Sequence, residues 1–112
     1  MDNETRIYID KCLANMDESK RGLTEPMLIE FVWYTSQVAS LQKQIDDEGS
    51  LVEMEKGGAN NRHIELVEHP AVKVVTKYST QAAGLYSKLM RFLTKAEIDQ
   101  VDALEDFLRN KA

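Results

Sequence analysis

The sequence has little of what stabilises very small or fibrous proteins. Cysteine occurs once, at Cys12, so an intrachain disulfide cannot form. Two prolines and five glycines in 112 residues are too few for a collagen-like or disordered chain. No apolar run is long enough for a membrane span, and the first residues lack the basic and apolar segments of a signal peptide. We therefore expect one globular domain over residues 1–112, located in the cytoplasm and without a membrane partner.

Residue patterns typical of enzymes are also missing. His63 and His69 are too few, and too far from Cys12 in sequence, to predict a metal site. Gly57 and Gly58 are not followed by the glycine, lysine and serine or threonine of a phosphate-binding loop. Cys12 lies at helical core spacing, which favours a small buried side chain over a nucleophile. We expect no enzymatic activity, no metal and no cofactor.

Two helices are predicted in the first half of the chain. Apolar residues at helical spacing predict a first helix over about 4–19, with Gly22 just beyond its end. Thr24 is the predicted N-cap of a second helix over about 25–45, with Pro26 in its first turn. Along that helix, apolar residues step by four and three, the spacing of a coiled-coil seam: Met27, Phe31, Tyr34, Val38, Leu41 and Ile45.

The second helix has more apolar surface than one partner can cover. Leu28, Val32 and Ala39 widen the seam, and Ile29 and Trp33 lie farther round the helix. Extensive exposed apolar surface usually marks an interface, so we predict self-association through this helix. The candidate interface residues are Met27, Phe31, Trp33, Tyr34 and Val38.

The next twenty residues change period. Residues 50–55 and 63–68 alternate apolar and polar side chains, as strands do, and residues 56–62 between them are rich in glycine and asparagine. This predicts a β-hairpin within residues 49–70. Because two strands alone are marginally stable, we expect the hairpin to pack on the helices.

The second half of the chain predicts two more helices. Pro70 suits the first turn of a third helix over about 71–93, which again has heptad spacing and should pair antiparallel with the second helix. Thr94 and Glu97 have the form of a capping box, which opens a fourth helix to about residue 109. The expected fold is mainly α: four helices, with a long antiparallel heptad hairpin and a small β-hairpin insert between helices 2 and 3.

Positive charge is concentrated on the third helix. The chain has a formal net charge of −5, yet residues 71–91 contain four basic residues and no acid. Lys73, Lys77, Lys88 and Arg91 fall within roughly 60° of each other on a helix, and we call them the basic stripe. Thr80 and Gly84 share this face. The stripe suits phosphate contacts or the lining of a positive channel. Alternatively, it is a solvated helix face that pairs with acids elsewhere, for instance those of the fourth helix, or it pairs with the acidic helix of a neighbouring copy.

A second basic group surrounds the end of the first helix: Arg6, Lys11, Lys20 and Arg21. In a DNA-reading helix-turn-helix, the following helix presents polar side chains to the bases. Here that helix presents apolar residues, so it is predicted to be core or interface. DNA contacts would therefore come from the first helix and its turn, or from the third helix.

The order of these elements resembles one protein family. A helix beginning at Leu23-Thr24-Glu25, a long heptad helix, a strand-like insert, then HPAVKVV and AAGLYSKLMRFLTKAEID, is similar to the small terminase subunits of tailed bacteriophages, over residues 23–105. In that family an Asn-Pro or His-Pro start precedes a long helix and a Leu-Thr pair opens the last one; His69-Pro70 and Leu93-Thr94 hold those places. Relatives commonly have an arginine-rich turn after the Leu-Thr pair, whereas here only Lys95 is basic.

The resemblance implies a non-catalytic component of viral DNA packaging. Such subunits form closed rings in the bacterial host cell, recognise viral DNA and pass it to a terminase large subunit that holds the ATPase and nuclease. Two other functions fit the residues alone. A dimeric helical DNA-binding regulator would use mainly Arg6, Lys11, Lys20 and Arg21, and a helical docking protein would bind no DNA.

Overall fold

The computed structural model describes residues 1–58 and 62–111. The elements, in chain order, are α1 (Asn3–Leu13), α2 (Glu18–Glu48), β1 (Leu51–Lys56), β2 (His63–Glu68), α3 (Pro70–Met90) and α4 (Lys95–Lys111). This confirms the mainly α fold with a β-hairpin between the two long helices. The molecule is elongated, with extents of 67 × 23 × 20 Å.

The hydrophobic core lies at one end of the molecule. There α1 and α4 pack against the first half of α2 and the end of α3, and the innermost side chains are fully buried: Ile9, Leu28, Leu89, Val101 and Leu104. The Tyr8 and Phe107 rings stack with centroids 4.5 Å apart. Asp2 pairs with Lys111, so the start of α1 meets the end of α4 and the two helices are antiparallel.

Away from the core, α2 and α3 continue as the predicted antiparallel pair. Phe31 and Tyr86 lie near the core, with ring centroids 6.2 Å apart, and Tyr34 and Tyr78 are 5.5 Å apart farther along. Ile45 and Ala71 are buried near the distal end of the pair. The heptad spacing of both helices therefore identifies the sides that face each other.

The junction between α1 and α2 differs from the prediction. The first helix ends at Leu13, and Asp17 caps the second by accepting a hydrogen bond from the Lys20 backbone N–H at 2.8 Å. The predictions that Gly22 follows the end of the first helix and that Thr24 caps the second are wrong. Thr24 is fully buried inside α2, where its hydroxyl donates to the Lys20 carbonyl at 2.7 Å.

The β-hairpin forms as predicted but does not pack on the helical core. Its antiparallel register pairs Leu51 with Glu68 and Glu53 with Leu66. Leu51 and Leu66 are 57% and 67% exposed, so the expected cover by the helices is wrong. Gly57 adopts the positive φ expected of a turn glycine, whereas the centre of the predicted turn, residues 59–61, lies outside the described residues.

The capping box before α4 is confirmed. The Thr94 backbone N–H donates to the Glu97 carboxylate at 2.7 Å, and the Glu97 N–H donates to the Thr94 hydroxyl at 3.2 Å. The turn between α3 and α4 follows Met90, slightly earlier than the predicted end near residue 93. Leu93 in this turn is buried in the core and fixes the angle between the two helices.

Candidate nucleic-acid interface

The basic stripe lies on the edge of α3 that faces away from α2. Lys73, Lys77, Lys88 and Arg91 are all exposed. The seam residues Leu85 and Leu89 of the same helix are buried on its opposite side. The structure therefore presents the four charges on one open face, as the 100° helical step predicts.

The start of α3 is fixed by His69. Its backbone N–H donates to the Ser50 carbonyl at 2.8 Å, and its Nδ1 accepts from the Ala71 N–H at 3.0 Å. Its Nε2 contacts the Glu48 carboxylate at the end of α2, and this hydrogen bond lowers the pKa of Glu48. Buried His69 thus holds the hairpin, α2 and α3 together and sets where the basic stripe begins.

The basic stripe does not pair with the acids of α4. Within residues 1–58 and 62–111, none of its four side chains makes a hydrogen bond or an ion pair. Three of the five acids of α4 have other partners: Glu97 binds Lys20, Asp102 accepts from the Tyr86 hydroxyl, and Glu105 binds Arg109. A solvated helix face and pairing with a neighbouring copy remain as alternatives.

Gly84 leaves the centre of the basic stripe without a side chain. A Cβ atom built on Gly84 would meet nothing within 4 Å, so no neighbour within the chain requires a glycine there. Glycine in a helix interior is less favourable than alanine by about 1 kcal/mol. The nearby Thr80 hydroxyl donates back to the Thr76 carbonyl at 3.0 Å, which keeps it on the helix surface. The middle of this face therefore has no side chain, and a partner's backbone can approach the helix there.

Within the second basic group, Arg6, Lys20 and Arg21 bind other groups of the fold. Arg6 binds Asp10 and Glu25 at 3.1 and 3.0 Å, and the bond to Glu25 raises the pKa of Arg6. Arg21 donates to the Leu13 carbonyl at the end of α1, at 3.1 Å. These contacts connect α1 to α2. They could not be predicted from the sequence, because the packing of α1 on α2 determines which groups meet.

Lys20 links the start of α2 to the start of α4. Its Nζ lies 2.6 Å from the Glu97 carboxylate, and this bond is the main reason that the pKa of Glu97 is lowered. Lys11 is exposed, with its Nζ 5.2 Å from the centroid of the Tyr8 ring. The second basic group therefore serves mostly to join helices, in contrast to the basic stripe.

The candidate interface residues divide into two groups. Phe31 is 2% exposed, because the packing of α3 and α4 on α2 covers most of it within one chain. Met27, Tyr34 and Val38 are half-buried, whereas Trp33 is 48% exposed. Periodicity identified these positions as apolar, but it cannot tell which side the chain's own helices cover.

No metal or thiol chemistry is apparent in the part of the chain that the structure describes. It contains no group of three or more His, Cys, Asp or Glu side chains placed to hold a metal ion. Burial raises the pKa of the Cys12 thiol to about 11, which keeps it protonated and unreactive at neutral pH. His63 is exposed on β2 beside Glu65. No described helix is long and apolar enough to cross a membrane.

No family model, curated protein or solved structure matches this chain. The function is therefore inferred from the geometry of the basic stripe and from the resemblance of the sequence motifs to those of small terminase subunits.

Proposed function

We propose that this protein is the small subunit of a viral DNA-packaging terminase: a non-catalytic, ring-forming component that binds viral DNA and delivers it to the large subunit. The observation that carries the proposal is the basic stripe, four exposed charges without a described partner on the outer edge of α3. The resemblance to small terminase subunits supports it, since the motifs His69-Pro70 and Leu93-Thr94 lie at the starts of α3 and α4. The proposed site of action is the cytoplasm of an infected bacterium.

Ring assembly accounts for DNA binding by an acidic chain. From Lys73 to Arg91 the basic stripe extends about 27 Å along the helix, enough to follow several phosphates of a duplex. Four contacts per chain are weak when the net charge is −5, because the rest of the surface repels DNA. A ring repeats the basic stripe in every copy, and linked weak contacts add up to tight binding.

The direct test removes part of the basic stripe and compares a charge-matched control. Lys77→Ala with Lys88→Ala removes two charges from the stripe, and Lys43→Ala with Arg62→Ala removes two exposed charges elsewhere. Affinity for duplex DNA is measured by fluorescence anisotropy at several salt concentrations. We expect at least a tenfold loss and a shallower salt slope for the first variant, and little change for the second.

Other results would reject the proposal in distinct ways. Equal effects of the two double substitutions would mean that binding follows overall charge and not the basic stripe. Absence of DNA binding at low salt by the assembled wild-type protein would favour the docking protein. A two-copy complex that binds a short palindrome, and that loses binding when Lys11 is replaced, would favour the regulator.

A further inference from the structure

An exposed apolar ridge runs along one side of the α2 and α3 pair. Trp33 and Ile29 of α2 are 48% and 40% exposed, and Val74 of α3, one helical turn from the Tyr78 that contacts Trp33, is also exposed. The Trp33 ring meets the Tyr34 and Tyr78 rings edge-on, at centroid distances of 5.1 and 5.2 Å. These contacts hold the indole in one orientation, so little side-chain entropy remains to be lost when a partner covers it. We call Ile29, Trp33 and Val74 the ridge.

A groove lies on the opposite side of α2, where α2, α3 and α4 meet. Its volume is about 340 Å³, and Phe31, Val38, Ala82, Ala83 and Tyr86 provide its apolar lining. The small side chains of Ala82 and Ala83 leave its floor open between the larger Phe31 and Tyr86. Thr35, Ser79 and Ser87 also line the groove, so it is apolar in part, and its volume is enough for an aromatic side chain.

Arg109 gives the groove a chemical preference. Its Nε and one terminal nitrogen bind the Glu105 carboxylate at 3.0 and 2.9 Å, which fixes the plane of the guanidinium at the rim. The Arg109 side chain is still 56% exposed, so one of its faces is available to a partner. Guanidinium groups stack well on aromatic rings, and tryptophan is the best of them. An exposed tryptophan is therefore the kind of side chain that suits this rim.

The ridge and the groove lie on opposite sides of one helix. Trp33 is two residues from Phe31, which places it about 200° away around α2. Copies joined ridge to groove would repeat the same contact head-to-tail, and such contacts either close into a ring or extend as a filament. The basic stripe lies on a third side of the molecule and would stay open in every copy.

The available area is adequate for a stable contact. The molecule is 67 Å long and about 20 Å wide, so one side offers on the order of 1,000 Å². Stable interfaces bury about 800 Å² per partner. The ridge and groove would form the centre of such an interface, where energetically important aromatic and arginine side chains usually lie.

We propose that the ridge of one copy docks into the groove of the next copy, with Trp33 seated between Ala83 and Arg109. This contact rests on the ring assembly of the proposed function and assigns the surfaces that build it. Both partners are present in each chain, so a second copy supplies the ridge that each groove receives.

Two variants that damage opposite halves of the contact test this geometry. Trp33→Ala removes the ridge and leaves the groove intact. Ala83→Arg blocks the groove, at an exposed position where a larger side chain does not disturb the core, and leaves the ridge intact. Leu23→Ala is the matched control, because Leu23 is exposed on α2 and belongs to neither surface. Circular dichroism verifies that all three are folded.

The readout is solution mass by light scattering, for each variant alone and for a one-to-one mixture. We expect the wild-type protein and Leu23→Ala to be large, and the ridge and groove variants each to be monomeric. Their mixture should form dimers and nothing larger, because only one intact contact is available: the ridge of Ala83→Arg in the groove of Trp33→Ala. This result would establish a head-to-tail contact.

Each contrary result identifies what fails. If both variants keep the wild-type mass, this contact is wrong, while ring assembly through other surfaces stands. If both become monomeric but their mixture forms no dimer, head-to-tail docking is wrong. A monomeric wild-type protein would overturn both this contact and the ring assembly of the proposed function.

Discussion

Among single residues, Glu97 joins two helices through one carboxylate. Its carboxylate accepts from the Thr94 N–H at 2.7 Å and from Lys20 Nζ at 2.6 Å. It therefore closes the capping box of α4 and ties α4 to the start of α2. The bond to Lys20, followed by the bond from the Thr94 N–H, holds the pKa of Glu97 below its usual range.

Replacing Glu97 with glutamine should give a destabilisation that depends on pH. Glutamine can still cap α4, but it loses the charge that binds Lys20, so we expect about 1 kcal/mol lower stability at pH 7. A lowered pKa contributes stability above the unfolded-state value of about 4.3, and this contribution is lost as pH falls through the folded-state value. The Tm difference between wild type and Glu97→Gln should therefore shrink towards pH 3. Glu30→Gln, at an exposed position, is the control, and a difference independent of pH would contradict the assignment.

Gly84 and Gly22 form a natural comparison. Both are exposed within long helices, and a Cβ on either would meet nothing within 4 Å. Gly84→Ala and Gly22→Ala should each raise stability by about 1 kcal/mol, because alanine is the better helix former. Only Gly84 lies in the basic stripe, so only Gly84→Ala should also weaken DNA binding. Thermal melts and DNA titrations of both variants decide this, and equal DNA affinities would remove Gly84 from the interface.

Among the helices, local sequence signals predicted the start of α4 correctly but not the start of α2. The capping box at Thr94 was identified because both partners lie within three residues of each other and no rival signal is near. At the start of α2, Asp17 followed by Glu18 is also a valid start signal. Gly22 and Thr24 suggested a later start, yet packing holds Thr24 inside the helix with its hydroxyl bonded to the Lys20 carbonyl. Tertiary contacts there outweighed local preference.

Exposure could not be predicted from periodicity. The alternation in residues 50–55 and 63–68 identified both strands, but it could not show that the face with Leu51 and Leu66 stays exposed while Val52 and Val67 on the other face are half-buried. Likewise Phe31 and Trp33 are equally apolar neighbours on α2, and only the placement of α3 and α4 buries Phe31 and leaves Trp33 exposed. The kind and position of each element could be predicted from local sequence, whereas the exposed interface residues depend on how the helices pack.

His69 should stabilise the start of α3 mainly as a cap. Its Nδ1 accepts from the Ala71 N–H, and an asparagine side chain can accept the same kind of bond. We expect His69→Ala to lower the stability by about 1 kcal/mol and His69→Asn to recover part of that loss, since Asn lacks the contact to Glu48. Chemical denaturation of the three proteins tests this. Equal losses in both variants would mean that the contact to Glu48, and not the cap, is what matters.

The hairpin should contribute little to the helical core. Replacing residues 54–65 with an Asn-Gly turn joins Glu53 to Leu66, which are partners in the register, and keeps a short hairpin. Because no strand packs on the core, we expect the helical circular dichroism to persist and the Tm to change by only a few degrees. A large fall in Tm, at unchanged solution mass, would contradict this view of the hairpin.

At the scale of the whole molecule, three surfaces surround the α2 and α3 pair. The ridge and the groove lie on opposite sides of α2, and the basic stripe lies on the outer edge of α3. This arrangement lets copies pack side by side while every basic stripe stays open. It gives an acidic chain a local positive surface whose strength grows with the number of assembled copies.

Ring assembly is tested most directly by the solution mass of the purified protein, measured by light scattering coupled to size-exclusion chromatography at several concentrations. A closed ring should give a single species well above a dimer, with a mass that does not change with concentration. A monomer or dimer at every concentration would contradict it.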